Sequence, residues 1–446
     1  MEQREPIAIL GGGVAGLAAG IAARSLGLSF LVLEKAGLTG GNCRTFRHGE
    51  FRFDSGAHRY HARDAAANRQ MRLLLGERLR RVTVPSQLHY RDTCLAFPFT
   101  AGELAMNLGW PFLFQTAGEI LAARLSRPEK EPDFASRQAR RYGPTVARMF
   151  LLNYSEKLWG LPGERLSAEI AGSRLQGLGA LTVLKEMLLP ADRFTSHLEG
   201  AFCYPDGGIG AVCDALAAGC GDGSIRCGAE VSRILHDRRA IRAVEINGGE
   251  VTPCSALVST IPLDRFLRLL DPPPPADALA AAAFRYRQLA LVAFFLGRES
   301  VTTAATVYFP EPRFPFTRVS EPRNRWPQMA PPGKTSLVAE IPYFQGEAYE
   351  RMTDERLIET VRSSLVDAGL IEDRDILDAC VRRLADAYPL LEKGVEGKRR
   401  EISSYLGKFS NLKVIGRNGT FRYLHIHDLL PEAARAVREL RLEDMA

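Results

Sequence analysis

Apolar positions along the chain fall into three kinds of pattern. Ile7-Ala8-Ile9-Leu10 is an unbroken apolar run leading into glycines, a small-residue stretch from Val14 follows, and Leu31-Val32-Leu33 closes on Glu34. That order predicts a strand, a helix and a second strand parallel to the first. Leu88 to Phe99 alternates around a polar turn and predicts a hairpin. From Ala101 to Leu189 the chain is rich in Leu and Ala, and Pro111, Pro128, Pro132, Pro144 and Pro162 divide it into several helices. Strand patterns return at Ile225 to Ile246, which end in the turn Asn247-Gly248-Gly249, and at Ala256 to Pro262. After the stiff connection Pro272 to Pro275, Leu289 to Leu296 and Ser336 to Ile341 predict strands of a second sheet. Asp354 to Ala368 and Glu372 to Leu384 predict helices, and Val414 onward predicts a strand that ends in glycines before a helix from about Leu429. The whole reads as an α/β fold in which a Rossmann-type βαβ unit is interleaved with a mixed sheet and a helical subdomain.

The glycines between the first strand and helix are spaced G-x-G-x-x-G. Gly11 permits the tight turn, Gly13 lets the backbone approach a pyrophosphate, and Gly16 with Gly20 lets the helix pack closely on the sheet. The helix N-terminus, at Ala15, supplies amide donors and a positive dipole. Glu34 can accept both ribose hydroxyls and would repel a 2′-phosphate, which favours FAD or NAD over NADP. A second glycine pair with an arginine, Gly40-Gly41-Asn42-Cys43-Arg44, then follows Glu34-Lys35. A nicotinamide enzyme has no need of it, whereas a flavoprotein does; the bland alternative is a surface turn.

Composition narrows the class without choosing the chemistry. The chain has 446 residues, 46% hydrophobic and 25% charged, which is ordinary globular usage and enough for two or three domains. Its net charge of +6 suits anionic ligands, but the basic residues are dispersed, so nucleic acid is not expected. The densest basic run, Lys398-Arg399-Arg400, reads as a solvated face. Eight cysteines without a C-x-x-C pair fit a reducing cytoplasm. Eight histidines lack metal spacing, and no metal is expected; His425 and His427, one residue apart on one face of a predicted strand, are the pair that keeps the question open. Leu104 to Leu121 and Leu178 to Leu189 raise the membrane question. Glu103, Glu119, Arg124 and Pro111 break any clean span, which leaves peripheral membrane contact or a buried helical core as the readings. The oligomeric state is left open.

Glu34-Lys35, Gly40-Gly41-x-x-Arg44-Thr45 and Phe53-Asp54-Ser55-Gly56-Ala57-His58 together resemble the flavin amine oxidase superfamily, close to its protoporphyrinogen-oxidase-like and UDP-galactopyranose-mutase-like branches. The resemblance implies noncovalent FAD. It places Gly41, Asn42 and Arg44 by the diphosphate, Gly56, Ala57 and His58 near the isoalloxazine, and the Val231 backbone at adenine. It also implies a discontinuous FAD-binding domain (1–87, 205–285 and 386–446), a substrate domain (88–100 and 286–385) and a helical subdomain (101–204). Three further segments carry it. Tyr154-x-x-Lys157-x-Trp159-Gly160 with Arg174 puts Trp159 and Arg174 toward the substrate. Thr317-Arg318-x-x-Glu321 with Glu340-x-Pro342 sets Arg318 over the flavin's open face, with an Arg318–Glu340 sheet ion pair as the alternative. Gly416-Arg417 with Tyr423 sets Arg417 beside flavin and substrate, and Tyr423 as a donor. Tyr204-Pro205 and Gly207-Gly208-Ile209-Gly210 resemble a loop that begins a helix near the flavin. His425 and His427 stand where the mutases have two acids. The implied function is hydride transfer from a small, anionic organic substrate to FAD. The alternatives are a redox-neutral mutase acting on a nucleotide sugar, and a flavin-binding protein without turnover.

Overall fold

Five parallel strands in the order Leu412–Val414, Ala256–Ser259, Ile7–Leu10, Phe30–Glu34, Ile225–Cys227 form the sheet that holds the glycine-rich turn. The computed structural model describes residues 5–62, 64–97, 106–125, 132–171 and 202–443. Ile7–Leu10 and Ala256–Ser259 are buried along their whole length, which is why they read as apolar runs rather than alternations. The helices Val14–Ser25, Gly210–Cys220 and Ile426–Glu443 cover one side of this sheet in a shared apolar cluster. A four-stranded sheet, Glu250–Pro253, Ile241–Ile246, Val231–His236 and Leu270–Asp271, is the second layer. The first strand connects onward to one neighbour and receives the other from far along the chain. Such a reversal of strand order opens a crevice at the carboxyl ends of the strands.

A seven-stranded sheet runs Ile376–Pro389, Tyr286–Leu296, Thr335–Tyr343, Arg318–Ser320, Thr306–Tyr308, Ser86–Tyr90, Thr93–Phe97. The fold is therefore mixed α/β, with parallel and antiparallel sheets. The helix expected at Glu372 to Leu384 is instead the 14-residue strand Ile376–Pro389, paired antiparallel along Tyr286–Leu296. Its Ala, Leu and Arg content favours a helix, but the buried partner strand offers an open ladder, and tertiary pairing overrides a weak local preference. The last helix begins at Ile426, ahead of Leu429, so His425 and His427 are not on a strand; their rings stack at 5.6 Å at the helix start.

The described helical part comprises Trp110–Leu125, Phe134–Tyr142 and a continuous stretch from Pro144, through a wide-turn segment Ala147–Leu152, to Asn153–Trp159. Arg174 and the apolar run Leu178 to Leu189 lie outside the described residues. Two cations, half-buried Lys157 and buried Arg287, dock Asn153–Trp159. Lys157 Nζ donates to the carbonyls of Phe309, Glu311 and Phe316 at 2.7, 2.9 and 2.8 Å, while Arg287 donates to the Lys157 and Leu158 carbonyls that the helix end leaves open. Arg399 is not simply solvated: it is 15% exposed, pairs with Glu169 at 2.8 Å and donates to the Phe421 carbonyl. Among the described residues no helix is long and apolar enough to cross a membrane.

Candidate functional site

A cleft of about 670 Å³ lies along the carboxyl ends of the parallel strands. Gly11, Gly13, Ala15, Glu34, Lys35, Gly41, Asn42, Arg44, His58, Val231, Gly416 and Arg417 all line it. A smaller space of about 60 Å³ adjoins it, lined by Gly56, Ala57, His58, Arg318, Arg417, Tyr423 and the unforeseen Tyr388. Gly16 stands behind the first turn. Trp159 lines neither space, and Arg174 falls outside the described residues.

The glycines are required by contact as well as by conformation. Gly11 has φ of +100°, and a Cβ on Gly16 would collide with the Gly11 carbonyl oxygen. Gly13 and Gly41 face each other backbone to backbone, a Cβ on Gly41 falling 3.3 Å from the Gly13 Cα, and Gly40 donates its N–H to the Gly12 carbonyl at 2.9 Å. The helix Val14–Ser25 has no side-chain cap, so its first-turn amides are left as donors at the cleft. The Glu34 carboxylate is oriented by the N–H groups of Gly12 and Ala36 at 2.7 and 2.8 Å. Arg44 donates from Nε to the Gly41 carbonyl at 2.9 Å. Asn42 and Asn418 both donate to the Asp386 carbonyl, at 3.2 and 2.9 Å, which ties the early loop and the late loop to the large sheet.

The smaller space is walled by cations and tyrosines. Arg318 lies opposite Glu340 in the antiparallel ladder, and their ion pair is 2.7 Å long. Glu340 also accepts the Ala57 N–H at 2.8 Å, and Arg318 donates to the Tyr388 hydroxyl at 3.1 Å. The sheet ion pair and the site-facing arginine are thus one arrangement. Burial works against the Arg318 charge, but Glu340, then Tyr388 and Tyr154, hold its pKa above the ordinary value. Arg417 donates from Nε and Nη2 to the Leu424 carbonyl at 2.9 and 2.7 Å, with its guanidinium 5.1 Å from the Tyr423 ring and 5.9 Å from that of Tyr388. Among the described residues no carboxylate lies within ion-pair distance of Arg417. Trp159, 2% exposed, packs edge-on against both tyrosines at 5.9 and 5.5 Å, so it backs the wall rather than facing a ligand. Burial pushes the Tyr388 hydroxyl up to about 12.

His58 is neutral at pH 7. Burial first, then Arg417, Arg318 and Arg325, lower it to about 3. Its Nε2 lies 3.2 Å from the Ser55 hydroxyl. Below its unperturbed pKa of about 6.5, the unfolded chain takes up a proton that the native site refuses, so stability falls as pH drops from 7 toward 4. The expected melting temperature declines over that window, and His58→Gln flattens the decline; parallel curves for the two proteins would overturn the assignment.

Tyr388 is the residue that the sequence reading missed; it lies beyond the helix expected at Glu372 to Leu384, where no element was assigned. A signal was present: Tyr388 precedes Pro389, and a residue before proline is biased to extended backbone. Among the described residues no cluster of three or more His, Cys, Asp or Glu is placed to hold a metal.

A profile of the family described as flavin-containing amine oxidoreductase matches residues 14–394. No curated protein sequence matches the chain. The fold is similar to that of a reduced UDP-galactopyranose mutase, with a TM-score of 0.85 and 20% identity over 99% of this chain and 96% of the other. It is also similar to an Exiguobacterium sp. 255-15 protein provisionally assigned as a protoporphyrinogen oxidase (TM-score 0.79, 18% identity, 99% of each chain). A third similar structure is cyclohexylamine oxidase from Brevibacterium oxydans IH-35A (TM-score 0.71, 15% identity, 100% of each chain). At these identities the likeness is one of fold.

Proposed function

Because the chain belongs to the flavin-containing amine oxidoreductase family, we propose that it is an FAD-dependent oxidoreductase that removes a hydride from a small anionic substrate. FAD fits the large cleft by the chemistry of its donors. Uncapped helix amides and Arg44 suit the diphosphate, Glu34 suits the ribose, and the backbone of Val231, on the cleft wall, suits adenine. Bound there, FAD would supply a two-electron acceptor at its isoalloxazine. Eight free thiols suit a reducing, cytoplasmic setting.

The observation that carries the substrate class is Arg417, whose guanidinium lies over Tyr423 and Tyr388 and has no carboxylate partner among the described residues. The aromatic faces that could take an ammonium group already hold a cation. Arg318, paired to Glu340, adds donors to the same space, and neutral His58 adds no charge there. A carboxylate or phosphate therefore finds charge-assisted donors here, whereas an amine cation meets repulsion. The chain's own residues bind and orient the substrate, and the buried wall of Trp159, Tyr388 and Tyr423 excludes water. A second reading, redox-neutral rearrangement of a nucleotide sugar, is favoured by the same two arginines, which also suit a diphosphate.

Anaerobic mixing of the flavin-loaded protein with matched sets of carboxylates, phosphates, nucleotide sugars and primary amines tests both readings. Bleaching of the visible flavin band by an anion and not by amines is expected. Arg417→Leu should weaken anion binding by roughly 10- to 100-fold, the range for a lost hydrogen bond to a charged group. Bleaching by amines would sink the substrate class, and turnover of a nucleotide sugar only after dithionite reduction would favour the mutase reading.

A further inference from the structure

The helix Trp110–Leu125 is apolar on both sides, yet among the described residues only one side is covered. Its inner side places Phe112 against Leu88, Leu95 and Phe150. Its outer side leaves Trp110, Phe114, Leu121 and Leu125 at 65, 73, 61 and 81% exposure. Their spacing puts all four within an arc of about 60° on a 3.6-residue helix. Ala117 and Gly118, between them, are exposed as well. A soluble surface rarely presents so many large apolar side chains together, and a helix apolar all round is one that is covered all round.

Charge indicates what covers it. Glu119, the acid of this helix, is turned away from the exposed face: its carboxylate accepts the Thr145 N–H at 2.9 Å, the Thr145 hydroxyl at 2.6 Å and the Gln115 amide at 2.9 Å. The helix packed beside it, Phe134–Tyr142, contains Arg137, Arg140 and Arg141 and no acid. Arg137 is exposed, with no acidic partner among the described residues. Two copies of the chain meeting on this face would bring two Arg137-bearing helices together, and neither helix contains an acid to meet that charge. An anionic surface is complementary instead. At 16 residues the helix is about 24 Å long, too short to cross a hydrocarbon core but suited to lying in its interface. A tryptophan at its end and a row of large apolar side chains turned to solvent suit the headgroup–acyl boundary.

We propose that this face docks on an anionic lipid bilayer, with Trp110, Phe114, Leu121 and Leu125 entering the headgroup–acyl boundary and Arg137 of the neighbouring helix on the headgroups. The test is co-sedimentation of the full-length protein with vesicles of phosphatidylcholine alone and of phosphatidylcholine mixed with phosphatidylglycerol. Binding to the mixed vesicles, weakened by salt, is expected. The exposed double variant Phe114→Ser/Leu121→Ser should keep the wild-type melting temperature and lose binding by about tenfold or more, since apolar burial supplies the anchoring. Arg137→Glu should weaken binding at low salt and matter less at high salt. The proposal is overturned if the wild type stays in the supernatant with both vesicles, or if the double variant pellets as well as the wild type. It is also overturned if sedimentation velocity reveals a dimer that the double variant abolishes while vesicles go unbound, for then a second copy covers the face.

Discussion

Gly16→Val is expected to yield protein that folds poorly and purifies without flavin. The side chain has nowhere to go, because even a Cβ at this position would collide with the Gly11 carbonyl oxygen, and Ile9 closes the other side at 3.5 Å. Overpacking against side chains costs about 1–3 kcal/mol, and a backbone carbonyl yields less readily than a side chain, so the upper end applies. Relief requires the helix Val14–Ser25 to move off the sheet. That motion withdraws its uncapped amides from the cleft and parts Gly13 from Gly41, so the dinucleotide loses its diphosphate donors together with the close backbone approach. A loss of flavin affinity of about 100-fold or more follows from a cost of roughly 3 kcal/mol. Flavin absorbance per mole of protein measures it directly. The stabilisation that added FAD gives the wild type should also vanish, since a ligand that no longer binds the native state cannot stabilise it. Gly37→Ala is the control: Gly37 has ordinary backbone and nothing within 4 Å of an added Cβ, so full flavin content is expected. A yellow Gly16→Val protein with wild-type flavin stoichiometry would refute this account of the turn.

The features legible in the sequence are those whose physics is local. Gly11, Gly16 and Gly41 announce themselves because only glycine fits a positive φ or a carbonyl pressed against the helix, and the acid at the end of Phe30–Glu34 follows from strand length alone. The residues that were misread depend on a distant partner. Ile376–Pro389 is a strand because Tyr286–Leu296 is there to pair with it, and that same pairing carries Tyr388, to which no element was assigned, into the site. Trp159 was expected toward the substrate, but two tyrosines from other segments stand in front of it. Arg318 and Glu340 present the opposite lesson. Ion pair and ligand donor were weighed as rivals, yet cross-strand register makes the pair and the cavity leaves the same guanidinium on its wall. His425 and His427 were placed on a strand because glycines obscured where the last helix begins.

Arg318 and Glu340 also allow the structural and binding roles to be separated. Glu340→Leu leaves a buried guanidinium without its counter-charge and strips the Ala57 N–H of its acceptor, a loss expected to cost about 3–5 kcal/mol of stability. Arg318→Met alone leaves the Glu340 carboxylate, 1% exposed, beside Ala57 without its cation, and should cost a similar amount. The double variant Arg318→Met/Glu340→Leu removes both charges, and apolar replacement of a buried pair is often close to neutral, so much of the stability should return. Activity should not return with it. If Arg318 also binds the substrate anion, kcat/KM in the double variant stays down by about 100-fold or more, the loss of a bidentate charge-assisted contact in a buried site. Melting temperature and kcat/KM measured across the four proteins of the cycle therefore give two different outcomes for two roles. Recovery of both together would mean that the pair serves the sheet alone and that the anion is held by Arg417 without it. Recovery of stability with activity still lost would assign Arg318 to the substrate and leave Glu340 as the group that keeps it charged and aimed.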